Sequence, residues 1–346
     1  MRLFQVFILF LLVTVPFAAL AMAQDSVVPA ITADAVNSAD LSAVPAELLP
    51  SPPAGETTGS DAAPPPPATP DPAIVRIQIL LDRAGASPGV IDGFDGDNVR
   101  KAVWAFETMR GLKADGIIDT DMLAALQTPD PVIGGYVITP EDVAAIVAPI
   151  PDDYAEKATR DFLGYSRVTE ELGERFHMDE DLLKALNPSA QFVAGETVAV
   201  AAYGPNTEGK VARIEADKSA RQLRAYDMDG KLLVAYPATI GSEDNPSPTG
   251  IHLVDAVAPM PNYTYNPNVN FKQGDNDKVL IVPPGPNGPV GSMWIDLTEP
   301  TFGIHGTPEP SKIDKTNSHG CVRLTNWDAE ELSKMVEPGV SVEFVG

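Results

Sequence analysis

A single cysteine lies among residues suited to nucleophilic chemistry. Cys321 is the only cysteine in 346 residues, and Ser318, His319 and Gly320 directly precede it. A thiol has a pKa of about 8.5, so a base must take its proton before it acts as a nucleophile near neutral pH. His305 and His319 are the candidate bases. The pattern predicts a cysteine nucleophile assisted by an imidazole.

The glycine before this cysteine fits the same chemistry. Gly320 can adopt backbone dihedral angles that other residues avoid. Successive N–H groups at Gly320 and Cys321 can then point at one position, as an oxyanion hole requires. The alternative stays open, because a lone cysteine is commonly a small buried apolar residue.

The segment resembles the active-site motif of the L,D-transpeptidase catalytic domain family, which acts on murein. The family pattern is His-Gly, a spacer and Ser/Thr-His-Gly-Cys, then a hydrophobic residue and Arg or Asn. In this chain the pattern is His305-Gly306 followed by Ser318-His319-Gly320-Cys321-Val322-Arg323. The resemblance extends upstream through residues 291–297 and downstream through residues 325–330.

The resemblance implies catalytic roles for the motif residues. Cys321 is expected to be the nucleophile and His305 the base, with the second ring nitrogen of His305 held by the carbonyl of Gly306. Many relatives have Ser at the Gly306 position, so this orientation depends here on the backbone carbonyl. Ser318 is expected to brace the loop, and the oxyanion is expected to meet the N–H groups of His319, Gly320 and Cys321.

The residues expected to bind substrate are Arg323, Trp294 and Tyr263. A guanidinium can pair with a carboxylate through two parallel hydrogen bonds, which suits Arg323 to a substrate carboxylate. A structural ion pair is the alternative for Arg323. For His319, packing of its side chain in the loop is favoured over direct catalysis.

The implied reaction is acyl transfer. The thiolate attacks the carbonyl of the diaminopimelate–D-Ala bond in a peptidoglycan tetrapeptide stem, D-Ala leaves, and a thioester remains. Four acceptors stay open: a diaminopimelate amine giving a 3→3 cross-link, an amine of an envelope protein, a free D-amino acid, and water. No cofactor or metal is expected.

Composition and the N-terminus bound the setting. The net charge of −24 argues against nucleic acid or anionic lipid as a partner, since both require basic patches. Residues 1–23 read as a secretory signal, with Arg2, an apolar run and Ala21-Met22-Ala23. The chain is therefore expected to be exported to the periplasm or cell envelope. An uncleaved signal, which would anchor it in the membrane, is the alternative.

The next two segments differ in composition. Residues 24–71 are rich in Ala and Pro, and we expect a disordered linker. Residues 72–130 show apolar residues at helical spacing between Asp-Gly turns. Together with Gln78 and Phe106, these turns resemble a peptidoglycan-binding domain of three helices. A helical bundle without a ligand is the alternative.

Two further segments complete the chain. Residues 131–203 resemble a degenerate lysin motif of α+β type, with an opening strand near Tyr136, helices, and a closing strand after Gly195. Glycan binding and a plain spacer are both open for it. Residues 207–346 alternate as strands do, and we expect a mainly β, sandwich-like catalytic domain with one or two helices. Its loop-rich stretch 259–291 suggests a substrate lid.

Two competing functions remain. A peptidoglycan hydrolase could use His305, His319 and Cys321 as zinc ligands, although the chain lacks an H-E-x-x-H pattern. A non-catalytic wall-binding protein would need the binding segments alone. We favour the transpeptidase, because a protein without catalysis has no need of Cys321, His305 and Ser318 together.

Overall fold

The computed structural model describes residues 31–44, 69–242, 245–269, 271–318 and 320–346. The predicted signal, residues 1–23, lies outside these ranges. Within them, no helix combines the length and apolarity that crossing a bilayer requires. The described ranges form a single compact unit by their internal contacts.

Four helices form the N-terminal part of this unit. Asp71 and Asp119 each cap a helix, since each carboxylate accepts a hydrogen bond from a backbone N–H of the first turn. The three helices predicted within 72–130 are therefore present, and one further short helix precedes them. Their bounds are α1 Ala33–Asn37, α2 Pro72–Arg83, α3 Asp97–Arg110 and α4 Thr120–Leu126.

Two Asp-Gly turns are tied to these helices by buried side chains. The Gln78 side-chain oxygen accepts hydrogen bonds from the N–H groups of Asp92 (3.1 Å) and Gly93 (2.8 Å). The Glu107 carboxylate accepts one from the N–H of Gly116 at 2.8 Å. These contacts explain why the turn residues and Gln78 carry the resemblance to a peptidoglycan-binding domain.

Part of the predicted disordered linker is folded. Residues 31–44 form α1 and a 3₁₀ turn, and Val36 and Leu41 are buried in the same core as the helices. The Asn37 side chain accepts hydrogen bonds from the N–H groups of Val132 (2.8 Å) and Ile133 (2.9 Å). The prediction of disorder is therefore wrong for 31–44. A few spaced apolar residues are enough to order this segment, because they pack into a core that neighbouring segments form. Residues 24–30 and 45–68 lie outside the described residues.

The lysin-like segment forms a two-stranded antiparallel sheet with helices between its strands. Tyr136 pairs with Val198 in the register. Leu172 and Leu183 from its helices are fully buried in the core shared with α2 and α3. The strands are β1 Ile133–Val137 and β2 Thr197–Ala201, and the helices are α5 Pro140–Ala144, α6 Tyr154–Lys157, α7 Val168–Arg175 and α8 Glu180–Leu186.

Residues 145–166, which we call the strap, connect α5 to α7. They include α6, and they leave the lysin-like sheet to contact the catalytic domain. Leu163 illustrates the contact: its N–H donates to the carbonyl of Pro284 at 2.8 Å, and its carbonyl accepts from the N–H of Asn287 at 3.0 Å. The strap therefore joins the two domains over the loop-rich stretch 259–291.

The catalytic domain is built on one strongly curved sheet. Its strand order is β5-β4-β3-β13-β7-β10-β11-β12-β6. The two outermost strands are consecutive in the chain and are separated by Ala238 alone, so the sheet nearly closes on itself. The strands are β3 Arg213–Asp217, β4 Gln222–Tyr226, β5 Leu232–Pro237, β6 Thr239–Ile240, β7 Gly250–Pro259, β10 Met293–Leu297, β11 Gly303–His305, β12 Val322–Arg323 and β13 Ser341–Val345.

The mainly β fold predicted for 207–346 is thus confirmed, with one refinement. The expected two layers are two halves of this sheet, which share β7: residues 250–253 pair with β13, and residues 254–259 pair with β10. The two halves enclose an apolar core that includes Ile295, Ile304 and Val322. One helix, α9 Asn326–Ser333, begins after the capping side chain of Thr325.

The stretch predicted as a lid contains a short hairpin. Its strands are β8 Tyr263–Tyr265 and β9 Leu280–Val282. Tyr265 is fully buried, and its hydroxyl accepts a hydrogen bond from the N–H of Gln273 at 2.9 Å. The hairpin therefore has a small core of its own under the strap.

Backbone and charged contacts hold the helical region against the catalytic domain. The N–H of Ser87 donates to the carbonyl of Ala235 at 2.9 Å, which adds a bridge to the edge strand β5. The ammonium of Lys101 lies 2.6 Å from the carboxylate of Asp314. The His177 ring stacks on Trp327 of α9, with centroids 5.1 Å apart. These contacts fix the helical region relative to the active-site strands.

Candidate active site

Two adjacent parallel strands bring the cysteine and the histidine together. His305 at the end of β11 is the register partner of Arg323 in β12, and Ile304 is the partner of Val322. Ile304 and Val322 face the core, so the alternation of side chains along a strand places His305, Arg323 and the preceding Cys321 on the opposite face. These three residues line one cavity of about 610 Å³.

The imidazole of His305 is buried and oriented. Its Nδ1 lies 2.7 Å from the carbonyl oxygen of Gly306, and since that oxygen only accepts, Nδ1 carries the proton. The Trp294 ring stacks on it, with centroids 5.5 Å apart and planes at 20°. This contact is the one that the motif predicts for the Gly306 carbonyl, and it leaves Nε2 as the basic nitrogen.

Burial sets the protonation state of both reacting groups. Burial, with the nearby Arg323 guanidinium, lowers the pKa of His305 to about 4. Burial also raises the pKa of the Cys321 thiol, against the opposing effects of the Gly303 N–H and Arg323. At neutral pH the resting pair is therefore a neutral thiol and a neutral imidazole.

The loop before the cysteine is held by one hydroxyl. Ser318 Oγ donates to the carbonyl of Cys321 at 2.7 Å and accepts from the N–H of Gly241 at 2.7 Å. It also accepts from the N–H of Gly320 at 3.3 Å. These hydrogen bonds are the kind that the bracing role predicted for Ser318 requires, while the Gly320 N–H expected in the oxyanion hole is directed to this hydroxyl. His319 lies outside the described residues.

Gly320 is a position where a side chain would not fit. Its φ is +110°, in the region that favours glycine, and a Cβ there would stand 2.5 Å from Cε1 of Phe302. The backbone carbonyl of Pro246 also lies 3.3 Å from that Cβ position. The glycine in the motif is thus explained by close packing of the loop that carries Cys321.

Asn326 contacts the backbone that directly follows His305. Its Oδ1 accepts hydrogen bonds from the N–H groups of Ser292 (3.0 Å) and Thr307 (3.1 Å), and a Cβ at Gly306 would overlap this same atom. Asn326 therefore fixes the backbone on both sides of the Gly306 carbonyl. No pattern in the sequence pointed to this role of Asn326.

Arg323 has no structural ion pair in the described part of the chain. No described carboxylate lies within 4.0 Å of its guanidinium, although Glu309 is near enough to favour the charge. Burial lowers the pKa of Arg323. The predicted substrate role is therefore favoured over the alternative of a structural salt bridge.

Trp294 and Tyr263 also line the cavity, as expected for substrate-binding residues. Tyr263 belongs to the lid hairpin, and its ring meets that of Tyr154 edge to face at 6.0 Å. Tyr154 and Lys157 border the same cavity from the strap. No residue pattern in the chain predicted that the strap would reach this site.

Comparison with known proteins agrees with the motif. Residues 211–344 match the family model of the L,D-transpeptidase catalytic domain, and residues 70–126 match that of a peptidoglycan binding domain. The first match contains His305 and Cys321.

Curated relatives carry the same family name. A protein of Bacillus licheniformis named as an L,D-transpeptidase, YkuD, is 29% identical over 178 residues, which cover 51% of this chain and 92% of the relative. Its namesake in Bacillus subtilis is 27% identical over 169 residues, or 48% of this chain and 87% of the relative. YbiS of Escherichia coli, also named as an L,D-transpeptidase, is 38% identical over 135 residues, or 38% of this chain and 44% of the relative.

The resemblance predicted from the cysteine motif and from the Asp-Gly turns is confirmed by these matches. The chain carries an L,D-transpeptidase catalytic domain and, before it, a peptidoglycan-binding domain.

Proposed function

We propose that this chain is a cysteine L,D-transpeptidase that cleaves the diaminopimelate–D-Ala bond of peptidoglycan tetrapeptide stems. The observation that carries the proposal is the pairing of β11 with β12, which places Cys321 and an oriented His305 on one cavity. The relatives' names and the family match support the same activity.

The first half-reaction is acylation. Nε2 of His305 takes the proton of the Cys321 thiol as the sulfur attacks the carbonyl carbon of diaminopimelate. The oxyanion is assigned to backbone N–H groups, with that of Cys321 as the principal donor because the Gly320 N–H is directed to Ser318. The C–N bond then breaks, His305 returns the proton to the amine of D-Ala, and a thioester remains on Cys321.

The second half-reaction transfers the acyl group to an amine. The incoming amine attacks the thioester carbonyl and gives a proton to His305, the C–S bond breaks, and the thiolate recovers the proton. The neutral resting state of His305 suits it for this role, because a protonated imidazole cannot accept a proton. The acceptor amine belongs to a diaminopimelate residue, a protein, or a D-amino acid.

Arg323 is assigned to the terminal carboxylate of the leaving D-Ala. It stands two residues from Cys321 on the same strand face, and it lacks a carboxylate partner among the described residues. The strap and the lid hairpin cover the cavity, which favours the amine over water by limiting solvent around the thioester.

Location and partners follow from the chemistry. A substrate in the cell wall requires an exported enzyme, and the signal-like residues 1–23 supply that route. The peptidoglycan-binding domain is assigned to the polymer, and a cavity of about 950 Å³ lies between it and the catalytic domain. The lysin-like segment is assigned to glycan only on its order of elements, two strands with helices between them.

Mass spectrometry of the intact chain tests the proposal. Incubation with a diaminopimelate tetrapeptide should add the mass of the stem less D-Ala to Cys321, and hydroxylamine should remove it, as it does a thioester. Tetrapeptide cleavage without an adduct, lost on addition of a chelator, would contradict the cysteine mechanism and favour the zinc hydrolase. Binding without cleavage would favour a wall-binding protein.

A further inference from the structure

The strap is attached to the lid by side-chain hydrogen bonds. Gln273 accepts from the N–H of Tyr154 at 3.1 Å and donates to the carbonyl of Asp152 at 3.2 Å. Asn276 donates to the carboxylate of Asp153 at 2.9 Å. The start of α6 is therefore held in place by two amide side chains of the catalytic domain.

Aromatic contacts reinforce the same attachment. The Tyr154 ring meets those of Tyr263, Tyr265 and Phe271 edge to face, with centroids 6.0, 5.3 and 6.0 Å apart. Such pairs stabilise beyond their buried area. The ammonium of Lys157 lies over the Tyr154 ring, with Nζ 5.4 Å from the ring centroid. Tyr154 thus positions Lys157 at the cavity.

The cations that border the cavity differ in their partners. Arg167 pairs with Glu180 at 2.8 Å. Lys157 and Arg323 have no carboxylate within 4.0 Å in the described ranges. Burial lowers the pKa of Lys157, and the nearest carboxylates act in the opposite direction. A partly buried ammonium beside a cavity, without an ion-pair partner, is suited to a ligand carboxylate.

We propose that Lys157, positioned by Tyr154, binds the side-chain carboxylate of the diaminopimelate residue of the donor stem. This assignment rests on the proposed function. The scissile carbonyl and this carboxylate belong to one residue and are separated only by its side chain, so the carboxylate stays within reach of the cavity that holds Cys321. Lys157 and Arg323 line the same cavity, and Glu309 lies near enough to both to favour their charged forms, which places the two cations at the same end of the cavity. The strap would then select the stem.

The test compares three tetrapeptides: one with free carboxylates, one amidated at the diaminopimelate side-chain carboxylate, and one amidated at the glutamate carboxylate. The readout is the second-order rate constant for acylation of Cys321, from intact mass over time. The wild-type chain should prefer the free substrate over its diaminopimelate amide by about ten- to a hundredfold, as a hydrogen bond to a charged group implies.

Variants separate a binding role from a structural one. Lys157→Gln should bring that preference close to one, because the rate with the free substrate should fall much more than the rate with the diaminopimelate amide. Lys157→Arg, which keeps the charge, should retain most of the preference. Lys210→Gln is the matched control, since Lys210 is an exposed lysine paired with Glu337 and does not border the cavity.

The outcomes are distinct. Loss of rate by the same factor on all three substrates, or an unchanged preference in Lys157→Gln, would overturn the assignment. If Lys157→Gln instead loses the preference for the free substrate over the glutamate amide, Lys157 binds the glutamate carboxylate, and this result would also overturn the assignment. If the wild-type chain is acylated by none of the substrates, the proposed function itself fails, and this assignment fails with it.

Discussion

The active-site cavity has two walls of different origin. We call the first, formed by Trp294, His305, Cys321 and Arg323, the catalytic wall; it belongs to three adjacent strands of one domain. The second is the strap, which comes from the lysin-like segment. The catalytic wall carries the groups proposed to transfer protons and to form the thioester. The strap carries Tyr154 and Lys157, which line the same cavity.

The two walls are held by different forces. Backbone pairing of β11 with β12 and glycines that admit no side chain fix the catalytic wall. Amide side chains and edge-to-face aromatic contacts hold the strap. Reacting groups tolerate little misplacement, so a rigid sheet suits them, whereas a connecting segment can change its residues without disturbing the chemistry.

The largest expected effect is on the catalytic wall. Cys321→Ala removes the proposed nucleophile, and transpeptidation should fall by at least about 10⁴-fold. The free energy of unfolding should change by less than about 1 kcal/mol, since the thiol is half-buried and its 3.7 Å contact with the Thr301 carbonyl is a weak hydrogen bond. Product formation by chromatography and a thermal melt measure the two quantities. Turnover within tenfold of wild type would exclude the mechanism.

The next expectation concerns the protonation state of the pair. Because burial raises the Cys321 pKa above its usual range while that of His305 falls to about 4, the pair is neutral at pH 7. Alkylation of Cys321 by iodoacetamide should therefore be at least about thirtyfold slower at pH 7 than on its alkaline plateau. The lone cysteine makes the mass readout unambiguous. A plateau between pH 5 and 8 would instead indicate a thiolate–imidazolium pair.

A backbone substitution should disturb the same wall more moderately. Gly306→Ala would place a methyl group on Asn326 Oδ1 and displace the carbonyl that holds His305. We expect about 1–3 kcal/mol of lost stability and a fall in acylation rate. Gly134→Ala is the control, because a Cβ there meets nothing within 4 Å. Equal melting temperatures for both variants would show that the Asn326 contact is not constraining.

The smallest effect is expected on the strap. Asp153 caps α6 by accepting from the N–H groups of Ala155 (2.8 Å) and Glu156 (3.1 Å). Asp153→Ala should cost about 1 kcal/mol locally and speed amide hydrogen exchange in α6, with the catalytic wall unchanged. Asp179→Ala, which removes the cap of α8, is the matched control and should affect only that helix. Unchanged exchange in α6 would show that the strap does not depend on its cap.

Local patterns predicted much of the fold. The alternation in 222–226 predicted β4 with its bounds, and the apolar spacing in 72–130 predicted three helices. The hydrogen bonds of His305 and Ser318 also agree with the expectation from the motif. Each of these features depends on residues close in the chain, or on a strand pair that the motif itself spans.

The misses share a physical cause. Val36 and Leu41 are two apolar residues in a polar stretch, and their burial depends on a core formed by other segments. The strap contains one short helix, and its position depends on contacts such as that of Tyr154 with Gln273, 119 residues later. The role of Asn326 was missed because its partners, Ser292 and Thr307, are distant in sequence.

The sequence by itself determined which residues are candidates for the chemistry. A cysteine and a histidine stand in a recognisable order, together with glycines that let the strands and the loop pack closely. Pairing of β11 with β12 puts Cys321 and His305 on one face of the sheet, where both line the same cavity. The tertiary structure decided which segment covers them. Hydrogen bonds and ring contacts between residues more than a hundred positions apart place the strap over the cavity, and no local pattern encodes a contact at that separation.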